Sequence, residues 1–190
     1  MLPTSAKRRL EILEQPEASV MDASVSSQEF TITRIIHAPR ETVWKAISEK
    51  DRLAQWWGPK GSTLRVIQLD FRPGGIFHYA MQFQPGHDMF GRFIYREIVA
   101  PEKIVFVSSF SDAQGGIARA PFPTIGETWP LEVLNTWTLT ESGGKTTLHL
   151  TGGPLNASEA ERKTFAGMFD SMQQGFGGTF DQLDAYLAKA

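Results

Sequence analysis

The sequence predicts an antiparallel α+β fold that ends in a long C-terminal helix. Two observations support this prediction. Apolar residues alternate with a period of two over residues 62–151, which is typical of half-buried strands separated by turns. They then recur every three or four residues over 165–187, as in an amphipathic helix. Because strands and helix occupy separate parts of the chain, the order favours α+β over alternating α/β.

The first predicted elements are a strand over residues 30–37 and two short helices. Pro39 suits the first turn of the first helix, because its missing N–H would have no partner there. Ser48 and Asp51 form a weak capping pattern for a second helix that reaches Trp56. The residues expected on the buried face of the first helix are Val43, Trp44 and Ile47.

Six further strands are predicted, with turns rich in Gly and Pro between them. They cover residues 64–71, 76–83, 90–98, 104–110, 131–140 and 146–151. The long loop at 111–130 also contains the apolar residues Ile117, Phe122 and Trp129. Loops of this length in a compact domain are usually functional or mobile, so we expect either a cavity lid or a dimer contact.

The C-terminal helix is predicted to begin at a capping box formed by Ser158 and Glu161. Its apolar stripe is broad and aromatic, as expected where a sheet wraps around it. Gly175, Gly177 and Gly178 interrupt the helix, and each costs about 1 kcal/mol relative to Ala. We therefore expect close approach, a bend or free volume at these glycines.

Composition limits the classes of function. Apolar residues make up 41% of the 190-residue chain, so residues 29–190 can form one domain around a real core. An extension over 1–28 is expected to precede this domain and to contain a short helix that ends near Glu14. A net charge of −2 gives no electrostatic basis for nucleic-acid binding. The chain has no Cys, which excludes disulfides and thiolate nucleophiles. No apolar run could span a membrane and no signal-peptide core is apparent, so a cytoplasmic location is expected.

Several short motifs occur together in a characteristic order. They are Ala38-Pro39, Val43-Trp44, Trp56-Trp57-Gly58-Pro59 and Asp70-x-Arg72-Pro73-Gly74-Gly75. In this combination the chain resembles the family homologous to the activator of the ninety-kilodalton heat-shock-protein ATPase, within the START-like (SRPBCC) superfamily, over residues 30–190. The resemblance implies a helix-grip (START-like) fold, in which a curved antiparallel sheet wraps around the long C-terminal helix. It also implies a ligand cavity between the sheet and that helix. Asp70 and Arg72 are expected to fix the turn before the two glycines.

The predicted cavity combines aromatic residues with a few polar groups on one face of the sheet. Burying a polar group without a hydrogen-bond partner costs about 1–3 kcal/mol of stability. Several polar groups on this face therefore favour a largely apolar pocket with a few orienting groups. The alternative is a solid core. His78 is expected to be exposed on the opposite face. The cavity candidates are Trp57, Phe77, Tyr79, Met81, Phe93, Tyr95, Phe106, Ser108, Phe110, Asn135, Trp137, Phe169, Met172, Gly175 and Phe176.

Three functions follow from these observations and the resemblance. The first is binding of a small apolar or aromatic molecule, with no cofactor and a homodimer as one possible assembly. The second is an enzyme of the cyclase or aromatase type, as found among helix-grip proteins, although no recognisable acid–base pair is present. The third, implied by the family name, is a chaperone ATPase cofactor in the stress response. The four His residues are scattered, so neither a metal site nor a catalytic residue is predicted.

Overall fold

The computed structural model describes residues 29–189, so the helix expected in the N-terminal extension lies outside the described residues. The first strand and two short helices are β1 (Phe30–Ile36), α1 (Arg40–Ser48) and α2 (Lys50–Leu53). The remaining strands are β2 (Thr63–Leu69), β3 (Ile76–Gln82), β4 (Asp88–Val99), β5 (Lys103–Phe110), β6 (Val133–Ser142) and β7 (Lys145–Pro154). The chain ends in α3 (Glu159–Gly167) and α4 (Phe169–Leu187).

The seven strands form one antiparallel sheet with the order β1-β7-β6-β5-β4-β3-β2. Consecutive strands pair from β2 to β7, and β1 returns to pair with β7 at one edge. The register places Tyr79 opposite Gly91 and Phe106 opposite Asn135. Because side chains alternate between the faces of a strand, these residues share the concave face that α4 covers. The predicted fold is therefore confirmed.

The C-terminal helix differs from the single element predicted. It is two helices, and Met168 between them has φ −103° and ψ 5°. The capping box at Ser158 and Glu161 is present at the start of α3. The break lets Phe165 contact Trp129 while Phe169 contacts Phe30. Since the apolar period continues across the junction, the sequence pattern alone could not reveal it.

The short helices also begin differently from the prediction. Pro39 lies one residue before α1 as its N-cap, and its carbonyl accepts from the backbone N–H groups of Thr42 and Val43. Ser48 ends α1 instead of capping α2, because its hydroxyl donates to the Trp44 carbonyl at 2.7 Å. The α2 helix follows Glu49 and ends at Leu53, short of Trp56.

His78 is buried, at 4% exposure, and the prediction of an exposed residue was wrong. The first part of the 111–130 loop folds back over the convex face and covers it. His78 Nε2 lies 3.2 Å from the Asp112 carbonyl oxygen, and Arg92 donates to the Gly115 carbonyl at 2.7 Å. The predicted turn contact is present, since Arg72 pairs with both carboxylate oxygens of Asp70.

Candidate functional site

A cavity of about 210 Å³ lies between the concave face of the sheet and the junction of α3 and α4. It is partly open to solvent. Most of its wall is aromatic or aliphatic. The lining residues are Trp57, Tyr79, Gly91, Phe93, Phe106, Ser108, Ser109, Phe110, Trp129, Val133, Asn135, Phe165, Met172 and Phe176.

The strands supply the cavity wall through alternate residues, and one glycine shapes it. Gly91 lies directly opposite Tyr79 in the β3–β4 pair. A Cβ atom at position 91 would lie 2.5 Å from both Cζ and the hydroxyl oxygen of Tyr79. The absent side chain therefore lets the phenol ring lie across β4, as expected for a glycine at a close approach inside a strand.

Polar groups in the wall are held by hydrogen bonds. Asn135 is 6% exposed, and its amide nitrogen donates to Ser108 Oγ and to the Val133 carbonyl, both at 2.9 Å. The contact with the carbonyl fixes which end of the amide carries the nitrogen. Ser108 thus accepts a hydrogen bond from a buried side chain at the cavity wall.

Tyr79 and Trp57 form a second polar pair. Burial raises the pKa of Tyr79 to about 12, while the nearby Trp57 indole has a smaller opposing effect. Trp57 is 8% exposed, and its indole N–H makes no full hydrogen bond within the described residues. The indole N–H and the phenol oxygen are therefore neighbours that do not form a full hydrogen bond. At neutral pH the phenol keeps its proton and can act as a donor.

The structure brings together most of the predicted cavity residues. The ones that line the cavity are Trp57, Tyr79, Phe93, Phe106, Ser108, Phe110, Asn135, Met172 and Phe176. Three others, Phe77, Tyr95 and Trp137, line a separate void of about 20 Å³ deeper in the core. This void is close to the size of a single water molecule, so these three residues belong to the packed core.

The last three predicted residues line neither space. Met81 packs beside Gly58, where a Cβ would lie 3.0 Å from its Cε. Phe169 packs edge-on against Phe30 and Phe165 at ring distances of 5.8 and 5.6 Å. Gly175 lies on the exposed side of α4, where an added Cβ would meet nothing within 4 Å beyond its own helix, so it creates no cavity space.

Five lining residues were not assigned to the cavity from the sequence, namely Gly91, Ser109, Trp129, Val133 and Phe165. Gly91 carried a signal, because a lone glycine within a strand pattern often marks a close approach. Trp129 carried another, as an apolar residue in a polar loop. Ser109 follows Ser108 on the strand, and its lining position could not be anticipated from strict alternation.

The second part of the long loop closes one side of the cavity. Trp129 contacts Phe165 with ring centroids 5.5 Å apart, and Phe122 packs on Phe110 at 5.6 Å. Arg119 pairs with Glu161 of α3 at 3.2 Å. The loop is therefore part of the cavity wall, which fits the lid alternative of the sequence prediction.

Charge is absent from the cavity wall: the described residues that line it include no Asp, Glu, Lys, Arg or His. Within residues 29–189, no cluster of three or more His, Asp or Glu residues has the arrangement of a metal site. None of the helices in that range combines the length and apolar character needed to cross a membrane.

Solved structures share this architecture. Protein Ms6760 from Mycobacterium smegmatis is 25% identical with a TM-score of 0.68, and the match covers 85% of this chain and 91% of that one. A protein from Arthrobacter aurescens is 22% identical with a TM-score of 0.71, over 89% and 91% of the two chains. The AHSA1 protein from Silicibacter pomeroyi is 19% identical with a TM-score of 0.63, over 84% and 97%.

The sequence also matches a family profile described as "Activator of Hsp90 ATPase homolog 1-like protein", over residues 37–188. No curated protein matches the chain at a significant level. The profile covers both short helices, the strands from β2 to β7 and the C-terminal helices that surround the cavity. With this match over most of its length and the shared fold of the solved structures, the chain belongs to the activator of Hsp90 ATPase homolog 1-like family.

Proposed function

We propose that this protein binds a small apolar or aromatic molecule in the cavity between its sheet and its C-terminal helices. The observation that carries the proposal is the aromatic wall around a space of about 210 Å³, with a few hydrogen-bonded polar groups. Ligand sites commonly combine a mostly apolar lining with a small number of placed polar groups. Filling such a space with an apolar ligand removes nonpolar surface from water, which is favourable.

The other two functions receive less support from the site. An enzyme of the cyclase type needs a group that gives or takes a proton, and Tyr79 is the only titratable side chain among the described residues of the wall. Since burial raises the pKa of Tyr79 to about 12, this phenol is a poor base near neutral pH. A chaperone cofactor role is suggested by the family's name alone. A homodimer through the loop residues Ile117 and Phe122, which are 44% and 41% exposed, stays a prediction.

The test compares a variant that fills the cavity with a matched variant at the protein surface. Val133 lines the cavity, whereas its neighbour Leu134 lies on the opposite face of β6 and is 39% exposed. Val133→Phe adds bulk towards the cavity, and Leu134→Phe places the same side chain on the outer face. Toluene is titrated into each protein, and binding is followed by ¹H–¹⁵N shifts of the backbone and the indole groups.

We expect toluene to shift resonances of cavity residues in the parent protein. Val133→Phe should weaken this binding at least tenfold, about 1.4 kcal/mol, because its ring occupies part of the site. Leu134→Phe should leave the affinity unchanged. Equal toluene affinity in both variants, or shifts confined to the outer surface, would refute binding in this cavity.

A further inference from the structure

The Tyr79 phenol is held in a defined position at the cavity wall. Its ring lies 4.8 Å from the Phe77 ring and 5.9 Å from the Phe93 ring. The missing side chain at Gly91 leaves the space that its hydroxyl end occupies. Because these neighbours restrict the ring, the hydroxyl presents one fixed polar atom to a mostly aromatic space.

The surroundings of that hydroxyl leave its hydrogen free. The polar group beside its oxygen is the Trp57 indole, which can only donate and therefore cannot accept the phenol hydrogen. The hydrogen of the Ser108 hydroxyl is also available, since the Ser108 oxygen accepts a hydrogen bond from the Asn135 amide. Each hydroxyl can therefore offer its hydrogen to a ligand.

The absence of charge in the wall limits the ligand. A buried ion needs an opposite charge or a full set of hydrogen bonds, and the described lining residues provide no cation. Two hydroxyl donors do not replace the hydration shell of a carboxylate. A neutral acceptor such as a carbonyl oxygen requires only one or two donors and suits this wall better.

The volume limits ligand size. An apolar cavity of about 150 Å³ in another protein accommodates benzene. The cavity described here, at about 210 Å³, is larger by roughly the space of a short substituent. It suits one aromatic ring that carries a small group, and a long chain or a system of several fused rings would extend through the open side.

We propose that Tyr79 is the specificity-determining residue of this cavity. Its hydroxyl donates a hydrogen bond to a carbonyl oxygen and so selects neutral one-ring molecules that carry this acceptor. The inference rests on the binding function proposed above. It adds that the occupant has a hydrogen-bond acceptor and lacks a negative charge.

The test uses three molecules with the same number of non-hydrogen atoms. Acetophenone has the carbonyl acceptor, α-methylstyrene replaces its oxygen with a CH₂ group, and benzoate carries a negative charge. Their dissociation constants are measured by ¹H–¹⁵N titration for the parent protein, for Tyr79→Phe and for Tyr95→Phe. Tyr95 is the matched control, because it is a buried tyrosine that lies outside the large cavity.

We expect Tyr79→Phe to weaken acetophenone binding about fivefold relative to α-methylstyrene, as for the loss of one neutral hydrogen bond. Tyr95→Phe should leave the ratio of the two affinities unchanged. Benzoate should bind the parent protein at least tenfold more weakly than acetophenone. Retained α-methylstyrene affinity in Tyr79→Phe shows that the variant cavity is intact.

Three results would overturn the proposal, and they are distinguishable. If Tyr79→Phe leaves the ratio of ketone to alkene affinity unchanged, the phenol does not select an acceptor, although the binding function stands. If benzoate binds as tightly as acetophenone, the site does not select neutral molecules. If none of the three molecules shifts cavity resonances in the parent protein, the proposed binding function fails together with this inference.

Discussion

The two halves of the α4–sheet interface differ in packing although they share one helix. In the C-terminal half, Phe180 and Leu183 are fully buried, and Phe180 lies 5.9 Å from the Trp137 ring. In the N-terminal half, Met172 and Phe176 are partly buried and face the cavity. The apolar stripe of the helix is continuous across both halves, so the helix itself does not produce the difference.

The sheet residues opposite the helix differ between the two halves. The solid half has large residues opposite it, with Trp137, Leu148 and Leu150 almost fully buried. The hollow half faces a wall in which Gly91, Ser108 and Ser109 lie among the larger aromatic residues. Protein interiors are normally close-packed, so a space of this size persists only where the surrounding elements are held apart.

Ion pairs link the helices to the rest of the fold at both ends of the interface. Arg34 of β1 pairs with Asp181 and Asp184 of α4, and these contacts, led by the hydrogen bond to Asp184, raise the pKa of Arg34. At the other end, Arg119 of the long loop pairs with Glu161 of α3. The comparison teaches that one interface between a helix and a sheet can contain both a packed core and an open cavity.

The largest expected effect contrasts two phenylalanines one turn apart on α4. Phe180→Ala should lower the free energy of unfolding by about 3–5 kcal/mol, because it leaves a cavity in the packed half. Phe176→Ala should cost less than half as much, since Phe176 already borders open space. Urea denaturation of both variants measures the difference, and equal losses would contradict the division into solid and hollow halves.

The second prediction concerns the alkaline side of the stability profile. Burial raises the pKa of Tyr79 from 10.0 to about 12, so the unfolded chain loses this proton first. The resulting stabilisation is present below about pH 10 and is lost as the pH rises towards 12. The shift in the pKa of Tyr79 corresponds to a stabilisation on the order of 2 kcal/mol.

Tyr79→Phe should therefore lose less stability than the parent protein between about pH 9.5 and 11.5. Burial also raises the pKa of Tyr95, which borders the small void in the core, so Tyr95→Phe should flatten the profile in the same direction. Urea denaturation at several pH values provides the measurement. Parallel profiles for Tyr79→Phe and the parent protein would show that the phenol is hydrated through the cavity opening.

The smallest expected effect concerns the start of α3 beside the cavity. The hydrogen bond from the Ser158 backbone, followed by contacts with the Ser158 side chain and Arg119, lowers the pKa of Glu161. The stabilisation is present above the ordinary value near 4.5 and is lost as the pH falls through the lowered pKa. Glu161→Gln should cost about 0.3–1 kcal/mol at neutral pH, and the two proteins should converge in acid.

Glu159→Gln is the control for Glu161→Gln, because Glu159 lies in the same first turn but outside the capping box. It should have the smaller effect on thermal unfolding at neutral pH. If both variants lose the same stability, the first turn responds to general charge near the helix N-terminus. The specific contact between the long loop and α3 would then contribute nothing measurable.

The wall of the cavity was partly predictable because strand periodicity assigns residues to faces. Once Phe77 and Tyr79 were placed on the inner face, Phe93, Phe106 and Asn135 followed from alternation in their own strands, and the structure places all five on that side. Alternation does not show how deep in the core a residue on the inner face lies. It therefore could not separate Phe77 and Trp137, which border the small void, from Tyr79 and Asn135, which border the cavity.

The sequence by itself determined the fold class, the capping of α3 and the inner face of strands β3 to β6. These properties follow from local spacing, because periods of two and 3.6 residues correspond directly to strands and helices. Only the tertiary structure decided the break at Met168, the burial of His78 and the contribution of Trp129 to the cavity wall. Each depends on how a long loop and two helices pack on a distant part of the sheet, and local spacing carries no information about such contacts.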